Sequence, residues 1–135
     1  MISMKELLSN QVVDISMLDA VAQANVTILL EKINVIRTAW AKPMKVNSGF
    51  RTMQHHLEIY KAKGTAPSKI PMKSKHLYGQ AVDISDPQRL LQTWCKQNVQ
   101  ILESTGLWME HFSVTTTWCH FQIVPPPSGN RFFMP

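Results

Sequence analysis

The stretch SKHLYGQAVDIS, residues 74–85, decides the reading of this chain. Its second half alternates. In an extended strand Val82 and Ile84 face one way, while Ala81 and Asp83 face the other. A carboxylate set beside buried aliphatic residues needs a partner, and a metal ion is one. His76 stands seven residues before Asp83, and Gly79 lies between them to let the backbone turn. Zinc takes imidazole nitrogen and carboxylate oxygen, and a catalytic zinc keeps three protein ligands with one position open. His76 and Asp83 are therefore two candidate ligands. The third has to come from another rigid element.

Two apolar-aromatic runs near the end of the chain provide it. LWMEHF (107–112) and TWCHFQIV (117–124) flank a loop around Ser113–Thr117, the pattern of a β-hairpin. With the loop centred on Thr115, residue 110 lies opposite 120, 108 opposite 122 and 112 opposite 118. One face then carries Trp108, Glu110, Phe112, Trp118, His120 and Gln122. The other, with Leu107, Met109, His111, Cys119, Phe121 and Ile123, is the more aliphatic and reads as core. On the first face a carboxylate and an imidazole stand across from each other. That suits His120 as a zinc ligand and Glu110 as a general base acting on activated water.

The rest of the chain frames these elements. Ser3 and Glu6 form a capping box for a short helix. After Ser16, Leu18, Ala22, Val26, Leu29, Ile33, Ile36 and Trp40 make one apolar stripe of a long amphipathic helix, stopped by Pro43. MKVNSGFRT (44–52) reads as a short strand turning at Gly49, and Thr52 caps a helix over about 53–63 that Gly64 closes. Residues 64–73 are an irregular loop. Asp86-Pro87 reads as a helix start, with Leu91, Trp94, Asn98 and Ile101 inward and Gly106 at the end. The tail PPPSGNRFFMP (125–135) is expected to form no regular strand or helix, with Phe132 and Phe133 packing back on the domain. The expected fold class is α+β: a small antiparallel sheet with helices on one face. No repeat or linker is visible, so residues 1–135 are expected to form a single domain.

Composition narrows the function. The chain has 135 residues and a formal net charge of +5, which suits an anionic partner such as a cell-wall polymer. Lys61, Lys63, Lys69, Lys73 and Lys75 form the densest basic run. No aromatic ladder is interleaved with them, so they read as a solvated loop and no nucleic-acid partner is expected. Cys95 and Cys119 make no disulfide framework. Cys119 alternates with His120 and is expected in the core. His55 and His56, on a helix beside no acid, read as surface residues. No stretch approaches the roughly 18 apolar residues of a membrane span. The N-terminus lacks a signal-peptide core, so the expected location is the cytoplasm of the producing cell, with action on the wall after release. A monomer is expected.

SKHLYGQAVDIS fits the pattern S-x-H-x-x-G-x-A-x-D and resembles the M15 peptidases. These are zinc D-alanyl-D-alanine carboxypeptidases and L-alanyl-D-glutamate endopeptidases that share a fold with the hedgehog signalling domain. SGFRT (48–52) resembles that family's S-G-[FY]-R-[ST], and TWCHFQ (117–122) its W-x-H motif. The three motifs occur in the family's order over residues 44–124. The resemblance implies a Zn2+ cofactor held by His76, Asp83 and His120. It implies hydrolysis of a peptide bond in peptidoglycan stem peptides, with Arg51 holding a substrate oxygen through its planar, permanently charged fork. Ser74 and Tyr78 are the accompanying candidates for substrate binding. Several relatives place the catalytic acid three residues before the last zinc histidine. That position is Thr117 here; Glu110, from the preceding strand, is the candidate base in its place, and His111 is the next candidate. Two other readings stay open: a metal-containing module that binds wall or protein without cutting, and a structural part of a phage particle.

Overall fold

The computed structural model describes residues 1–9, 11–12 and 14–135. The elements in chain order are α1 (Met4–Leu7), α2 (Ala20–Trp40), β1 (Val46–Ser48), α3 (Met53–Ala62), β2 (Ala81–Ser85), α4 (Leu90–Gln97), α5 (Val99–Thr105), β3 (Trp108–Glu110), β4 (Trp118–Gln122) and β5 (Phe132–Phe133). Three 3-10 turns, Ile15–Met17, Pro67–Lys69 and Lys75–Tyr78, join them. The strands form one sheet in the order β1-β2-β4-β3-β5. This is the expected α+β class.

The long helix forms the floor of the core. Ala22, Val26, Leu29, Ile33 and Ile36 recur at three and four residues and are the buried stripe of α2. Val26, Leu29, Ile33 and Ile36 are completely buried, each contributing on the order of 1.5–3 kcal/mol. They pack with Val82, Ile84, Cys119 and Phe121 from the sheet. Asp19, rather than Ser16, caps this helix by accepting from the Ala22 N–H at 2.8 Å. The helix ends at Trp40 because Ala41 takes the left-handed conformation (φ 62°), before Pro43 is reached.

Strand β2 sits centrally because both its neighbours pair with it antiparallel. Asp83 lies opposite His120 on β4 and opposite Ser48 on β1. The β1 pairing contains a bulge between Val46 and Ser48. One extra residue on β1 moves Ser48 beside Asp83, where an unbroken ladder would have set it beside Val82. On the far side Trp108 pairs with Gln122 and Met109 with Phe121, the register read from the hairpin's symmetry.

Three expectations change. The tail does form a strand: β5 runs parallel to β3, Met109 opposite Phe132, and Phe133 is buried. The helix after Pro87 begins only at Leu90 and breaks at Asn98 into α4 and α5. Asp86 still serves its start from a distance, its carboxylate accepting from the N–H groups of Leu91 and Gln92. Finally, His56 is completely buried and no surface residue. It falls on the inner face of α3, its ring 4.9 Å from that of Tyr60. Cys119 lies in the core as expected, and both cysteines are free. No helix among the described residues is long and apolar enough to cross a membrane.

Candidate metal centre

His76, Asp83 and His120 converge, with one ligand atom from each lying within 4.8 Å of the others. His120 Nδ1 is 2.9 Å from Asp83 Oδ1, and His76 Nε2 is 3.3 Å from Asp83 Oδ2. Strand pairing accounts for the first contact. The second arises because the Lys75–Tyr78 turn ends at Gly79, whose φ of 72° turns the chain into β2. Gly79 also lies so close to Val26 that a methyl group there would collide with α2.

The far nitrogens of both rings are tied down. His76 Nδ1 lies 2.8 Å from the Gly49 carbonyl, which can only accept, so that nitrogen carries its hydrogen. His120 Nε2 lies 2.9 Å from Gln122 Oε1. The Gln122 amide is oriented in turn because its Nε2 donates to the Val124 carbonyl at 2.8 Å. With both far nitrogens protonated, two imidazole lone pairs and a carboxylate face one another. Three acceptors in one place require a cation, either a proton or a metal ion. Ring nitrogens anchored on oxygen acceptors are the arrangement that orients metal-ligating histidines. The donor set fits zinc.

The electrostatics agree. Burial alone would raise the Asp83 carboxyl, but the charge of His76 and the hydrogen bond from His120 hold it well below the usual carboxylate range. Burial likewise pushes His120 down, but the hydrogen bond and charge of Asp83 outweigh it, and the ring is raised overall. Glu110 adds to that rise from β3.

These groups lie in a cleft of about 1070 Å³, lined among others by Arg51, Ser74, Glu110, Trp118 and Phe133. The strand order sets Ser48, Asp83, His120 and Glu110 in one row across β1, β2, β4 and β3. The register of Trp108 with Gln122 and Met109 with Phe121, continued by one residue, sets Glu110 opposite His120. Arg51 Nε donates to Ser48 Oγ at 2.9 Å, and its Nη2 lies 3.8 Å from Asp83 Oδ2. The Arg51 backbone N–H donates to the His76 carbonyl, which ties the SGFRT turn to the histidine turn.

Six of the seven residues singled out from sequence, Arg51, Ser74, His76, Asp83, Glu110 and His120, thus line one cleft. Tyr78 does not line it. Its side chain is largely exposed, and Tyr60 of α3 stands on the cleft instead. Thr117 is exposed, and its carbonyl accepts from the Asp86 N–H. Sequence reading missed Gln122, Gly49 and His56. Gln122 carried a signal, since two residues on from His120 along a strand is the same face. His56 Nε2 lies 2.7 Å from the Pro71 carbonyl, while its Nδ1 is buried without a partner.

Comparison with known proteins agrees with this geometry. Among curated proteins none matches the chain. The crystal structure of Serratia marcescens L-Ala D-Glu endopeptidase ChiX is similar, with a TM-score of 0.51 and 22% identity over 79% of this chain and 89% of that one. It shows a shared fold. Residues 3–120 match the Peptidase M15 family, which takes in all three motifs through His120. The chain belongs to the peptidase M15 family.

Proposed function

We propose that this chain is a zinc-dependent endopeptidase of peptidoglycan stem peptides, acting as one catalytic domain. The observation that carries this reading is the convergence of His76, Asp83 and His120 with both rings oriented from behind, in a cleft that also holds Glu110. His76, Asp83 and His120 would hold the ion. Bound there, zinc would supply a Lewis acid for the scissile carbonyl and for the attacking water.

The chain's own groups supply the rest. Glu110 takes a proton from water as oxygen adds to the carbonyl carbon, and delivers it to the amine as the C–N bond breaks. Ser48 takes the Nε hydrogen of Arg51 and Nη2 faces Asp83 at 3.8 Å, which leaves further N–H groups of the fork to offer a ligand beside the site. Those groups suit a substrate carboxylate or carbonyl oxygen. Ser74 lines the same cleft. The cleft is lined beyond the triad by Trp118, Pro125, Pro126 and Pro127, which leaves room for several residues of stem peptide and suits an endopeptidase. Fold similarity to an L-Ala D-Glu endopeptidase supports the same choice.

Mass spectrometry of muropeptides after digestion of purified peptidoglycan tests the reading. The expected product is a cut between the first two stem residues, abolished by chelator. Loss of a terminal alanine would make the protein a carboxypeptidase. Unchanged muropeptides would leave a binding module.

A further inference from the structure

The lysine-rich loop is part of the cleft. Lys63, Lys73 and Lys75 line it together with Arg51, while among the described residues the side-chain carboxylates on its lining are those of Asp83 and Glu110. Among the described residues every ion pair involves Asp83, so no lysine ammonium lies within 4.0 Å of a carboxylate. None of the three lysines is held in an ion pair among the described residues.

The wall is also held in place. His56 Nε2–H donates to the Pro71 carbonyl at 2.7 Å, from a ring that is completely buried. The Ser74 carbonyl accepts from Leu77 N–H, and the Lys75 carbonyl from Gln80 N–H. Lys63 Nζ lies 5.1 Å from the centre of the Tyr60 ring, another cleft residue. Three cations borne along one cleft by an anchored backbone focus an electric field where a ligand would lie.

We propose that Lys63, Lys73 and Lys75 form an anion-reading wall that selects acidic peptides by their free carboxylates, and that this sets substrate preference. The proposal rests on the peptidase reading of the cleft and extends it to the charge of the substrate. Arg51 acts at the metal triad; the lysines act further along the same cleft. They bind and do no chemistry.

The test compares two stem peptides identical except that the side-chain and terminal carboxylates of one are carboxamides. Calorimetry measures their binding to the zinc-loaded protein in a Glu110→Gln background, where cutting is slowed. A second protein carries Lys63→Gln, Lys73→Gln and Lys75→Gln. A third carries Lys5→Gln, Lys42→Gln and Lys45→Gln, which lowers net charge equally but away from the cleft. The parent is expected to bind the free acid about tenfold tighter than the amide, a preference that weakens with salt. The cleft triple variant should lose most of the preference, keeping at most the part due to Arg51, and the distant triple variant should keep it whole. Equal binding of the two peptides by the parent, or a preference that is undiminished in the cleft variant or vanishes in the distant one, overturns the proposal. Cleavage is not the readout. If the protein with Glu110 intact leaves peptidoglycan uncut while the Glu110→Gln form still discriminates, the wall is supported and the peptidase reading is contradicted.

Discussion

Asp83 and His120 stand directly opposite each other on β2 and β4, and their side chains meet at 2.9 Å. Backbone pairing therefore sets the distance between the two groups, with no dependence on a mobile loop. A zinc ion held between such groups binds the folded chain and not the unfolded one. Zinc at about a thousand times its Kd should stabilise the fold by about 4 kcal/mol. Thermal unfolding with zinc, with chelator, and after zinc is restored measures this. Asp83→Asn should remove the zinc-dependent part of the shift.

Gly49 matters for its lack of a side chain. A methyl group there would run into the Leu7 backbone carbonyl, and the Gly49 carbonyl is the acceptor that orients His76. Gly49→Ala should displace that carbonyl and weaken zinc binding about 10–100-fold, the usual effect of losing such a partner. Competition with a chromogenic chelator reads the affinity directly.

Gln122 should behave in the same way with less damage to the fold. Gln122→Leu removes the acceptor of His120 Nε2–H. The expected result is about 10–100-fold weaker zinc binding, with circular dichroism unchanged.

His56 gives a pH-dependent signature. Burial lowers it from its ordinary value of 6.5, and the charges of Arg51 and His76 add to the fall against the opposing Pro71 carbonyl. Below about pH 6.5 the unfolded chain takes up this proton before the folded chain does. Stability attributable to His56 is therefore present above that pH, is lost as pH falls, and levels off once the folded ring titrates. Urea unfolding of wild type and His56→Asn between pH 7.5 and 5 should show a shallower fall in the variant.

Where side-chain period and backbone symmetry determine an element, the sequence could be read. The alternation of Val82, Asp83 and Ile84 placed the aspartate on its face. The loop centre at Thr115 set the Trp108–Gln122 register, which in turn places Glu110 opposite His120. The stripe from Leu18 to Ile36 placed the core helix. What stayed hidden depends on distant contacts. The β1 bulge that brings Ser48 to Asp83 has no local signature in VNS. His56 is buried with its ring against the Pro71 carbonyl, a contact from a distant segment that helix periodicity does not report. Strand β5 exists only because β3 offers it an edge, with Met109 N–H donating to the Arg131 carbonyl and His111 N–H to Phe133. Lys61, Lys63, Lys69 and Lys73 are exposed, as read from the sequence, but the place of Lys63, Lys73 and Lys75 on the cleft was not legible in it.

The central claim is that the His76–Asp83–His120 centre is catalytic because Glu110 serves it from the next strand. Glu110→Gln tests it most directly, with zinc content and peptidoglycan cleavage measured on the same preparation. The expected protein binds one zinc per chain and cuts at least about a hundredfold more slowly, the usual scale of general-base catalysis. A variant that holds its zinc and cuts at near wild-type rate would contradict the account.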